Sequence, residues 1–236
     1  MHSDAAPSLI VLGVVLIVLG YIEPGLTPLI MIGLSMIAVG LLAYWDEGSL
    51  EQVIAHLASA AWDNVAALVE SAGLVNKGVY LPSSISNGEV SVLIPSAPID
   101  KVGKLSVVGK PLAIYGPGLR GLLLSSPGSR AVAICRDAGA LTSDLTVSLS
   151  NCIVNQLSLA KSIDVAESGG EVAVRLSGLR PIDLYGDSII RVALGSTLAS
   201  IVASVAAEVI NKPIMIKEES TSGRSLLVRL GVINNA

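Results

Sequence analysis

Residues 9–22 read LIVLGVVLIVLGYI and residues 29–45 read LIMIGLSMIAVGLLAYW. Neither run holds a charged side chain, and only Glu23 to Pro28 separate them. A bilayer-spanning helix needs about 20 apolar residues, within a range of about 17–25. The second run meets that length, with Thr27 placed to cap it and Pro28 in its first turn. Tyr44 and Trp45 suit the interface at its far end. The first run reaches spanning length when it starts near Ala5, with Pro7 in its first turn. It has no basic leader and no small-x-small cleavage site, so it reads as a retained helix and not as a signal peptide. A link this short makes the two helices an antiparallel hairpin.

The glycines of the hairpin are spaced alike. Gly13 and Gly20 are seven apart, as are Gly33 and Gly40. Both 13+40 and 20+33 give 53, so an antiparallel pair would set Gly13 opposite Gly40 and Gly20 opposite Gly33. Small residues at such a seam let helix backbones approach closely in lipid.

Outside the hairpin the chain resembles an aliphatic-rich globular domain. The whole is 52% hydrophobic and 14% charged, against about 25% charged for an average soluble domain. Every Lys and Arg lies at or beyond Lys77; before it stand seven acids, and after it 15 bases against 12 acids. That mild excess of bases, with aromatics at 3%, excludes a nucleic-acid surface built on charge and stacking. Cys135 and Cys152 can make at most one bridge and carry no metal-ligand spacing.

Ser49-Leu50-Glu51-Gln52 is a capping box, and Leu50, Val53, Ile54, Leu57, Ala61, Val65, Leu68 and Val69 recur at helical spacing. This predicts an amphipathic helix over 49–72, closed by Gly73. His56 and Trp62 on it read as packing residues. Short strands follow at 78–81, 90–94, 105–108, 112–115 and 122–124, with a turn at Ser86-Asn87-Gly88. Helices are expected at 130–138 and from Ser143 or Asp144 to Ala160. A strand at 171–176, one long helix from Asp187 to Ile210 and a hairpin of 214–217 with 226–230 close the chain. The fold class is therefore α+β: a two-helix transmembrane hairpin, then a mixed, mainly antiparallel sheet with helices packed on one face. The divisions are 1–46 for the hairpin, 47–75 for the connecting helix and 76–236 for the domain.

Three motifs bear on chemistry. Gly116-Pro117-Gly118-Leu119-Arg120-Gly121 matches G-x-G-x-x-G, but strand-like residues follow where a dinucleotide site needs a helix N-terminus. It reads as a turn. Ser158-Leu159-Ala160-Lys161 has the S-x-x-K spacing of one hydrolase group without its companion motifs. On a helix the two residues would simply be neighbours. With His2 and His56 as the only histidines and no carboxylate cluster at ligand spacing, no metal site is expected, and no cofactor. Arg136 with Asp137 and Arg180 with Asp183 read as solvated pairs or caps. The Gly/Ala/Ser-rich face at Gly195, Ala199, Ser200 and Ala203 is the surface where another helix or a ligand would approach.

The two N-terminal apolar helices, the VYLP (79–82) and VLIP (92–95) segments, GLLLSSPGS (121–129) and the closing strand–helix–hairpin resemble a family of uncharacterised archaeal membrane proteins. That resemblance implies a two-helix anchor and an α/β domain and carries over no catalytic residue. The closing unit is also similar to small-molecule-binding domains of the vinyl-reductase type, which usually carry cysteines in their final hairpin; here that hairpin has none. Sequence and resemblance together support a non-enzymatic, two-pass cell-membrane protein. Its partners are the lipid bilayer and a protein partner or another copy of the chain, with no nucleic acid. The second reading is a tethered sensor for a small apolar ligand, and the third a Ser158/Lys161 hydrolase. With Glu23 in the short loop and every base in the domain, the domain is expected in the cytoplasm.

Overall fold

The structure is a computed structural model that describes residues 5–23, 26, 28–97, 114–115, 121–180, 184–185 and 188–233, with side chains described except at 5–6, 42–56 and 114–115. The chain divides into two compact units, Met1–Ala58 and Ser59–Ala236.

In the first unit, α1 spans Ala5–Ile22 and α2 begins at Pro28. α2 runs unbroken to Ser71, ending in the second unit. The helix start expected at Ser49 is therefore absent: the capping box lies inside a continuous helix. A capping side chain is needed only where amides lack an intrahelical partner. Here the preceding turns supply those partners, and Gly48 costs only about 1 kcal/mol in a helix interior.

The second unit is an antiparallel sheet with helices on one face. Its strands are β1 (Val79–Leu81), β2 (Ser91–Pro95), β3 (Ile114–Tyr115), β4 (Gly121–Leu124), β5 (Ser162–Ser168), β6 (Glu171–Ser177), β7 (Ile214–Ser222) and β8 (Ser225–Val232), in spatial order β3-β4-β2-β1-β7-β8-β6-β5. Every described ladder is antiparallel. β6 and β8 alternate as half-buried strands do: Val172, Val174, Leu176, Leu226, Val228 and Leu230 point into the core, while Glu171, Arg175 and Arg229 are exposed. β1, β2 and β4 are buried on both faces. Tyr80, Val92, Ile94, Leu122 and Leu124 join the helices in the main core. Val79, Leu81, Leu93 and Leu123 form a second cluster on the opposite face with Ile233.

The helices of this unit start where the sequence provides caps. α3 (Pro127–Asp137) opens with a reciprocal Ser126/Ser129 capping box and Pro127 in its first turn. α4 (Leu145–Leu149) is capped by Asp144, whose Oδ1 accepts from Val147 N at 2.9 Å. It passes directly into a π-helix over Ser150–Gln156. The expected helix through Ala160 thus ends at Gln156, and residues 162–168, for which no strand was expected, form β5. The long helix expected over 187–210 is two, α5 (Ile189–Leu194) and α6 (Thr197–Ile210). Gly195 breaks it with φ +71°, a conformation that favours glycine. Ser196 then caps α6 by accepting from Ala199 N at 3.2 Å. The final turn is also tighter than expected, with β7 and β8 meeting at Gly223-Arg224.

Of the remaining expected strands, 105–108 lies outside the described residues, as does the G-x-G-x-x-G segment before Gly121.

Candidate functional site

The first unit is built inside out. Gly13, Gly20, Gly33 and Gly40 are buried on helices whose large apolar residues mostly face outward. Val11 is 63% exposed, Met31 75% and Leu34 60%. A Cβ on Gly13 would sit 2.7 Å from Gly33 O and 2.7 Å from Ile37, and one on Gly33 would meet Gly13 O at 2.5 Å and Ile17 at 2.8 Å. Gly20 faces Ile30 and the carbonyl of Leu26. The glycine pairing expected from equal sums, 13 with 40 and 20 with 33, is thereby corrected: Gly13 opposes Gly33. Equal spacing on two helices fixes a repeat of seven and leaves the offset between them free. The offset is set here by how each glycine accepts the isoleucine opposite, Ile37, Ile17 or Ile30. The hydroxyl of Ser35 donates to its own helix at Ile32 O, 2.7 Å away, so this polar group needs no water.

In the second unit the small-residue face of α6 is interior. Ala199, Ser200 and Ala203 are fully buried, and every residue from Thr197 to Ala207 lies in the core. Only Gly195, at the break, is part-exposed. This face packs against α3: a Cβ on Gly128 would fall inside Ser204 Oγ and 2.5 Å from the carbonyl of Ser200. The small side chains that suggested room for a partner therefore serve contact between elements of the same unit.

Buried hydroxyls follow this helix. Thr197 Oγ1 accepts from Leu184 N at 3.0 Å, and the Tyr185 hydroxyl reaches Ser200 Oγ at 3.4 Å. Tyr80 donates to Leu194 O at 2.7 Å, fastening the end of α5 to β1. Its burial, together with the neighbouring Tyr185, pushes the Tyr80 phenol well above its ordinary range, so it stays a donor. Ser204 Oγ is the buried side-chain polar atom without a partner among the described residues. Trp62, at the C-terminal end of α2, meets Tyr185 edge to face with centroids 4.9 Å apart, which is the packing role expected of it.

Ser158 and Lys161 are not helical neighbours: Ser158 has φ +52° in the loop after the π-helix, and Lys161 lies exposed just before β5. Cys135 of α3 and Cys152 of the π-helix form a disulfide with Cα atoms 5.4 Å apart, both residues fully buried. Arg136 pairs with Glu208 of α6 at 2.6 Å. Glu208 also accepts from Ser83 N and Ser83 Oγ, both at 2.9 Å. Burial alone would raise the Glu208 carboxyl, but Ser83 and Arg136 outweigh it and hold it below the ordinary carboxylate range. This knot joins the loop after β1 to α3 and α6. Its members are 125 and 72 residues apart, so no local pattern announces it. Asp183, the acid expected beside Arg180, lies outside the described residues, as does the side chain of His56. Among the described residues no group of three or more His, Cys, Asp or Glu gathers as metal ligands.

The chain matches the family described as a domain of unknown function, DUF7982, over residues 2–231, and it belongs to that family. Comparison with curated proteins and with solved structures gives no match.

Proposed function

We propose that the chain is a membrane-anchored binding protein, inserted through α1 and the first half of α2, whose α+β unit binds a protein partner or another copy of itself without catalysis. The outward display of apolar side chains around a glycine seam supports the anchor. A half-exposed Val or Leu forgoes about 1 kcal/mol of burial. Summed over Val14, Val18, Ile32, Leu34, Val39, Leu41 and their neighbours, the total is on the order of 10 kcal/mol, comparable to the stability of an entire domain. Hydrocarbon removes that cost. Among the described residues the apolar stretches are Pro7–Ile22 and Pro28–Leu41; α1 has 18 residues, at the short end of the span range, while α2 runs on to Ser71. The 22-residue apolar stretch Ile189–Ile210, which forms α5 and α6, is 72% buried and belongs to the core of the second unit. A short α1 suits a thinned bilayer or shallow insertion.

Sidedness turns on the disulfide. Such bridges persist in oxidising compartments, and inside the cells of hyperthermophiles. The Cys135–Cys152 bridge therefore weighs against the reducing cytoplasm expected from charge placement, and we assign the domain to an oxidising face.

Membranes from cells expressing the full chain test the anchor. After washing at alkaline pH the protein should stay in the pellet. The triple variant Val14→Asp/Val18→Asp/Leu34→Asp should move to the supernatant. A wild-type chain released by the wash would refute insertion.

A further inference from the structure

A cleft of about 710 Å³ opens in the second unit where the segment after β6, α5, the start of α6 and the β7–β8 turn converge. Arg180, Arg191 and Arg224 reach it from three separate segments. All three are exposed, and among the described residues no carboxylate forms an ion pair with Arg180 or Arg224. Glu219 also lines the cleft, but its Oε2 accepts from Ser196 N at 2.8 Å and so occupies the first amide of the α6 cap. Arg180 and Arg224 thus leave positive charge on the described rim. Beneath it lie Leu179, Leu198 and Leu226, the last two buried.

Guanidinium groups gathered in one concavity repel each other and focus a field that favours an anion. Their planar forks match carboxylate and phosphate oxygens in pairs. The apolar floor asks for something different from a bare ion, and the volume lies within the usual range for small-ligand sites. We propose that this cleft binds an amphipathic anion, with a carboxylate or phosphate head held by Arg180 and Arg224 and an apolar body over the leucines. Both a free amphipath and the headgroup region of an anionic lipid present that chemistry. The inference rests on the binding reading of the domain and is independent of the anchor.

The test uses the full chain in nanodiscs of zwitterionic lipid, titrated calorimetrically with octyl phosphate, inorganic phosphate or octanol, with empty discs subtracted. Octyl phosphate should bind saturably and more tightly than either other probe. Arg180→Gln/Arg224→Gln should weaken it at least tenfold at unchanged melting temperature, whereas Arg229→Gln, outside the cleft, should leave it unaltered. Repeating the titration in discs containing anionic phospholipid separates the sources: lost binding assigns the head to lipid, retained binding to a free amphipath, and both support the cleft. No saturable binding, equal binding of phosphate or octanol, or an unaffected double variant overturns the proposal. Because the discs hold the protein through its hairpin, a silent titration would leave the anchor standing.

Discussion

At Gly13 and Gly33 two helix backbones meet, and at Gly128 a third helix meets α6 just as closely. Ile17, Ile30 and Ile37 fill the first contact, but around it most large apolar side chains point away from the seam, with Leu34 60% exposed. Around the second they point inward, with Val202 and Val205 fully buried. Close approach through small residues is therefore common to both regions and identifies neither environment. What distinguishes them is the opposite side of each helix. In water the hydrophobic effect drives large side chains together, and glycine serves only where geometry demands it. In lipid that drive between helices vanishes, and packing at small-residue seams holds helices together, which is the setting proposed for the first region.

The largest effect should come from overfilling the interior contact. Gly128→Leu forces α3 off α6, where Ser204 and the Ser200 carbonyl leave no room for a Cβ. Overpacking of this kind costs about 3 kcal/mol or more, lowering the melting temperature by roughly 6–12 °C for a unit of this size. Calorimetry of the variant checks it; a melting temperature within a degree of wild type would show that the contact is loose. Removing the bridge with Cys135→Ala/Cys152→Ala should cost slightly less. The bridged residues are 17 apart in sequence, and a loop of this length is worth about 3 kcal/mol before native strain is counted. Mass tagging of free thiols in the denatured wild-type chain, with and without reductant, reports whether the bridge is present in cells. Two tags before reduction would remove it from the account and the assignment to an oxidising face with it.

The hairpin responds in register more than in stability. Cysteine pairs at Ile17/Gly33 and Gly20/Ile30 should cross-link within one chain, and pairs at Gly13/Gly40 and Gly20/Gly33 should not. The reverse outcome would restore the equal-sum register. The smallest effect concerns Glu208. Its folded carboxyl lies below its unfolded value, so the stability it contributes is present above the ordinary carboxylate range and fades as pH falls through the folded value. Allowing for solvent screening, about 0.5–1 kcal/mol should disappear on acidification. Glu208→Gln should flatten that part of the stability profile in urea titrations below pH 5.

Much of this contrast was legible in the sequence where a signal is local. The charge-free runs gave both apolar helices, Asp144 stands at a cap, and alternation exposed β6; Ser126 escaped, since the helix expected at 130–138 in fact starts at Pro127 under its cap. What else escaped depends on distant partners. Ser49 carries a sound capping signal that a continuous helix overrides. The single residue Gly195 splits what periodicity joins, because the apolar spacing of α5 and α6 remains helical on either side of it. β5 was hidden by an S-x-x-K pattern at its threshold, although Ile163 and Val165 alternate before the Gly169-Gly170 turn. The small face of α6 was visible as a face, but small side chains fit a core contact as well as a docking surface. The arginines of the cleft are spread over 45 residues, and no spacing rule joins them.

The central claim, that the first unit's large side chains face hydrocarbon, is tested most directly by site-directed spin labelling in bilayers. Labels at Val14, Val18, Leu34 and Val39 should collide readily with oxygen, which concentrates in lipid, and rarely with a water-soluble nickel chelate. Strong nickel collisions with weak oxygen collisions at these four positions would place the hairpin in water and contradict the account.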